Sequence, residues 1–154
     1  MVIALFFTHE GDRDGAALAF HVGGGAILGV FLLWRVGRRI RRGMTEKPDQ
    51  AAIYNLASQI VIWGLLVAII IVVISGYLLP WSRGMAIDIF GLFQLPSSIA
   101  SNHDFHEIFE KMHTISGQLI VPLFLLHLLG ALKHRFIDKD NVMQRMAKAV
   151  SNGK

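Results

Sequence analysis

Two histidines fourteen positions apart, His113 and His127, stand inside the apolar stretch 112–136, MHTISGQLIVPLFLLHLLGALKHRF, and are the only ionisable residues in its interior. A helix needs about 20 such residues to cross hydrocarbon, so the stretch reads as a membrane span. Fourteen residues is close to four helical turns, which puts both imidazoles on one face about 21 Å apart along the axis. That separation suits one site in each leaflet. An imidazole in hydrocarbon is costly unless it is paired, coordinated or beside water. Neutral imidazole is also the usual axial ligand when haem iron sits between helices. A single such histidine is as readily explained by interhelical hydrogen bonding. Two on one stripe shift the reading toward ligands.

A third histidine, His21, lies near the outer end of another apolar stretch, 16–34, followed at once by Gly23, Gly24 and Gly25. Each glycine costs a helix about 1 kcal/mol relative to alanine. Either close packing against a neighbouring helix or room for a flat macrocycle beside His21 accounts for the run. Arg35 follows His21 by fourteen residues on nearly the same face. It marks the membrane boundary or pairs with an anionic group such as a haem propionate. His21 and His113 both lie near the outer ends of their spans, so depth allows them to ligate one haem together. His127 is six residues from Lys133 at the inner boundary and has no partner of matching depth in the chain.

These spans account for the composition. The chain has 154 residues, 53% of them hydrophobic and 17% charged, too apolar for a soluble domain of this size. With no cysteine, it has no disulfides, no thiolate-held iron–sulfur cluster and no C-x-x-C-H attachment, so any haem is held noncovalently. The net charge of +4 does not point to nucleic acid, because the cations cluster at the ends of the spans.

Residues 1–7 are apolar but too short to span, without a basic leader region, and read as the tail of a longer helix whose beginning is absent. The linker 36–50 carries Arg38, Arg39, Arg41, Arg42 and Lys47, which places it in the cytoplasm. A second span, 53–79, has no ionisable residue in its core and is assigned to packing, with Trp63 and Tyr77 structural or interfacial. The connection from Pro80 to Glu110 is acidic and lies outside. Within it the apolar patch 87–95 is expected to lie at the interface as a short helix or lid, while His103 and His106 read as surface histidines. The basic tail after Lys133 is again cytoplasmic. No internal repeat, phosphate loop or buried serine–histidine–acid set is found.

Taken together, several motifs resemble bacterial cytochrome b561. They are the H-V-x-x-G start at His21, Val22 and Gly25 with Arg35 fourteen residues on, the G-Y-L-L-P-W-S-R-G connection at 76–84, the His113 and His127 pair, and the tail K-H-R-F-I-D-K-D-N-V-M-Q-R-M at 133–146. The resemblance implies an all-α integral membrane helical bundle of four helices. Here that means three full spans (16–35, 53–79 and 112–133) and the stub of a fourth at the N-terminus, with residues 1–146 as the haem domain and 147–154 as a polar tail. It implies two b-type haems, His21 and His113 holding the outer one and His127 the inner one opposite a histidine early in the first helix. That helix is absent here beyond its last few residues, so one outer haem b is expected and the inner site is in question. It further implies electron transfer in a bacterial plasma membrane, exchange with quinone, and a homodimer or redox partner protein as possible associations. Two other readings remain open at this point: the cytochrome b anchor subunit of a hydrogenase or dehydrogenase, and a haem-free anchor whose histidines only bridge helices.

Overall fold

The computed structural model describes residues 15–42 and 52–137. Three helices carry the architecture: α1 (Ala16–Arg42), α2 (Ala52–Trp81) and α3 (His103–Phe136). All three are long and apolar enough to cross a membrane. At 1.5 Å per residue their 27, 30 and 34 residues make rods of about 40 to 51 Å, longer than the hydrocarbon core. The excess lies where the sequence turns polar. α1 runs on through Arg38, Arg39, Arg41 and Arg42, and α3 starts nine residues before the apolar stretch. Asn102 sets that start, its side chain accepting a hydrogen bond from the backbone of Phe105 at 3.1 Å. The last turn of α3 carries Lys133, His134 and Arg135, cations that suit a helix C-terminus. The expected N-terminal stub and the tail beyond residue 137 lie outside the described residues, as do residues 43–50 of the expected linker, whose first part, 36–42, continues α1.

α2 is the hub. It packs extensively along α3 and less so along α1, whereas α1 and α3 scarcely approach each other. Its contact with α1 depends on Gly29, where a Cβ would lie 2.9 Å from Val73, and on the Tyr77 hydroxyl, which donates to the Ala26 carbonyl. Pro122 interrupts the hydrogen-bond ladder of α3 between the levels of His113 and His127.

The patch 87–95 is not the expected short helix but a two-stranded antiparallel hairpin, β1 (Ile87–Ile89) paired with β2 (Phe93–Leu95). Strand alternation explains why the helix expectation failed. Ile87 and Ile89 point inward and are buried against Ala26, with Val22, Tyr77, Trp81 and Leu95 around them, while Asp88 between them faces out. The turn holds Phe90 at φ 54° and Gly91 at φ 70°, the paired left-handed conformation of a tight hairpin. Phe90 stands where asparagine is usual, and its ring lies against Gly23 of α1 and edge-on to Phe20 at 5.6 Å between centroids. Gly23 is therefore explained by close packing, though its partner is a hairpin rather than a helix.

Candidate functional site

His21 on α1 and His113 on α3 meet across the gap that α1 and α3 leave between them. Their rings are 5.8 Å apart, centroid to centroid, at an interplanar angle of 83°. The geometry follows from chain direction: α1 and α3 run the same way through the bundle, with His21 five residues from the start of α1 and His113 ten from the start of α3, near the same end.

His113 is held from α2. Its Nδ1 lies 2.9 Å from the Val72 carbonyl and 3.4 Å from Ser75 Oγ. A carbonyl can only accept, so Nδ1 carries the proton and Nε2 is left with its lone pair. Ser75 Oγ spends its own proton on the Ile71 carbonyl at 2.6 Å. This close approach requires Gly76, since a Cβ there would stand 3.0 Å from His113 Cε1 and 3.3 Å from Nδ1. His21 differs: its Nδ1 is buried without a hydrogen-bond partner, and neither ring nitrogen bonds to a described residue. Gly25, one turn further along α1, is half-buried on nearly the same face as His21.

The other expected site residues are not part of this cluster. Arg35 is exposed four turns away on α1. His127 is half-buried and makes no hydrogen bond to a described residue. Among the described residues no three His, Cys, Asp or Glu side chains gather as a bare-metal site. The reading of His103 as a surface group holds, its side chain being 82% exposed and 3.4 Å from Glu107. For His106 it does not: this residue is buried where the end of α2 meets the start of α3, with Nδ1 2.9 Å from Ser82 Oγ. Ser82 lies 24 residues away at the far end of another helix, so nothing local in the sequence signals the burial.

Three helices long and apolar enough to cross a membrane, with two imidazoles facing each other between them, define a helical membrane protein. Comparison with known proteins gives the class more narrowly. The profile of prokaryotic cytochrome b561 matches residues 1–149, and the chain belongs to that family. It is 31% identical over 115 residues to "Cytochrome b561 homolog 2" of Escherichia coli (strain K12), a match covering 75% of this chain and 60% of the relative. No solved structure matches.

The b-type haem that the family name implies fits the residues present. Two imidazoles face each other from apolar helices at 5.8 Å between ring centroids, a donor set that suits haem iron. One ring has its distal nitrogen tied to a carbonyl, as ligating histidines almost always do. The other has its Nδ1 buried without a hydrogen-bond partner among the described residues, and the two helices that carry them stand apart.

Proposed function

We propose that this chain is a membrane electron carrier in which His21 and His113 are the two axial ligands of one b-type haem in the outer leaflet. The observation that carries the reading is the facing of these rings across the α1–α3 gap, with His113 Nδ1 anchored to the Val72 carbonyl. When bound, the haem supplies reversible one-electron chemistry. The protein residues do the rest. His113 is kept in a single tautomer with Nε2 free, Gly76 lets its ring seat against α2, and the apolar spans exclude water from the pair. A haem held by both imidazoles would serve electron transfer rather than oxygen activation.

Quinone is the proposed exchange partner, in keeping with the family. The basic end of α1 and the last turn of α3 face the cytoplasm in this reading, by the excess of Lys and Arg at that end. His127 is the proposed ligand of an inner haem and Arg35 a propionate partner near it; the second axial ligand for that site is unassigned among the described residues.

The test is haem stoichiometry and the reduced-minus-oxidised spectrum of the purified membrane protein, repeated for His21→Ala and His113→Ala. Each variant is expected to insert in the membrane and lose the outer haem. Normal haem content in either would overturn the assignment.

A further inference from the structure

The hairpin between α2 and α3 presents an apolar tip. Phe90 is 42% exposed, Leu92 80% and Phe93 54%. The polar groups of the turn are paired within the hairpin itself. The Leu92 backbone donates to the Ile89 carbonyl at 3.0 Å, and the Asp88 carboxylate accepts from the Gly91 backbone at 3.0 Å and from the Gln94 amide at 3.5 Å. Asp88 and Gln94 are also cross-strand partners, so they gather on one face and leave the tip to carbon. A cluster of large apolar side chains of this kind marks a surface that something covers.

What covers the tip follows from where it sits on α1. Positions 16–34 are the part of α1 without Asp, Glu, Lys or Arg. As a helix they measure about 28 Å, close to the thickness of the hydrocarbon core. That run has no length to spare, so its first turns are immersed with the rest. Phe90 packs on Phe20 and Gly23, the fifth and eighth residues of α1, about 6–10 Å along its axis. Phe20, Ile27, Phe31 and Trp34 fall on one stripe of α1 and are each at least 44% exposed, the face a spanning helix offers to lipid. Through its contact with Phe20, Phe90 continues that stripe. His21 and Gly23 are two residues apart, about 200° around the helix, so the hairpin and the gap toward α3 lie on opposite sides of α1. Whatever fills that gap does not cover the tip.

We propose that the hairpin is a membrane anchor: Phe90, Leu92 and Phe93 enter the acyl chains of the leaflet at the His21 end of the bundle, while Asp88 and Gln94 stay among the headgroups. Its partner is the lipid surface. An element with an apolar edge and a polar face is held in the interface plane. Immersion of the turn is tolerable because its polar groups are already paired. Anchored in this way, Phe90 stays seated on Gly23, and the hairpin braces α1 from the side opposite His21.

The chain contains no cysteine, so Leu92→Cys creates a single site for a nitroxide spin label. The labelled full chain is placed in nanodiscs of phosphatidylethanolamine and phosphatidylglycerol. Power saturation in electron paramagnetic resonance then reads the label's access to oxygen, which partitions into acyl chains, and to a nickel chelate, which stays in water. Phe31→Cys on the exposed stripe of α1 is the lipid reference, and His103→Cys, at a side chain 82% exposed beside Glu107, is the water reference. The oxygen-to-nickel ratio at Leu92→Cys is expected to be severalfold above that at His103→Cys and to approach that at Phe31→Cys. Phe93→Cys is expected to behave in the same way and guards against one label disturbing the turn. Ratios at both tip positions that match His103→Cys put the tip in water and overturn the proposal. Labels shielded from both reagents overturn it as well, because protein, from a second copy or from another part of this chain, would then be the cover.

Discussion

Gly76→Ala separates the site from the scaffold. The added methyl carbon would stand 3.0 Å from His113 Cε1 and 3.3 Å from Nδ1, against an optimal carbon–carbon separation of about 3.5–4.0 Å. The imidazole must therefore retreat by about half an ångström, and what it retreats from includes the Val72 carbonyl that orients it at 2.9 Å. Overfilling a packed contact costs about 1–3 kcal/mol. Losing an orienting partner of a metal ligand typically costs about 10–100-fold in affinity, or about 1.4–2.8 kcal/mol. Within the helix the substitution gains about 1 kcal/mol, because alanine is the better helix former. The two effects fall on different observables. Haem affinity, measured by titrating haem into the stripped protein, should drop about tenfold or more, while the thermal midpoint of the haem-free protein should change by only a few degrees. If affinity is unchanged while the protein remains folded, Gly76 does not seat His113 and the account of the site is wrong.

The other predictions concern single contacts. Gly91→Ala meets no atom within 4 Å, so its cost is purely that of a side chain at φ 70°, about 1 kcal/mol; the thermal midpoint should fall by about 2–4 °C, and no change would mean that the hairpin turn is not left-handed. Tyr77→Phe removes the hydrogen bond to the Ala26 carbonyl and should cost about 1 kcal/mol in the same assay. His127→Ala should leave the outer haem's absorbance unaltered, and any haem it loses should be a second one; loss of the outer signal would show that the two histidines do not serve separate sites.

The sequence made the apolar spans legible because each exceeds bilayer thickness without a charge at its centre, and consecutive spans must alternate in direction. Once direction was known, depth alone brought His21 and His113 to one level. What could not be read were features whose cause lies in a distant segment. Gly76 looks like one residue of a connecting motif, yet the atom it makes room for is on α3, 37 residues on. Gly23 gives no sign that Phe90 will lie on it. The hairpin was hidden because Phe90 occupies a turn position where asparagine would have been the signal. His106 sits among acidic and polar neighbours in sequence, and only the packing of two helix ends removes it from water.

The gap between α1 and α3 bears on how a cell would tell a finished molecule from an unfinished one. α1 is attached to the rest of the described bundle through α2 and the hairpin, by Gly29, Ala26 and the Ile87–Ile89 strand, with almost nothing joining it to α3. Under the proposed ligation the haem becomes the only substantial bridge among the described residues along that seam. A ligand that binds only the assembled form stabilises it by about 2.7 kcal/mol at a hundredfold excess over its dissociation constant. An unloaded chain would therefore release α1 first, exposing the glycine-lined face and the buried carbonyl of Ala26 to proteolysis. Cofactor supply would in this way govern how much of the protein persists in the membrane as well as how much of it is redox-active.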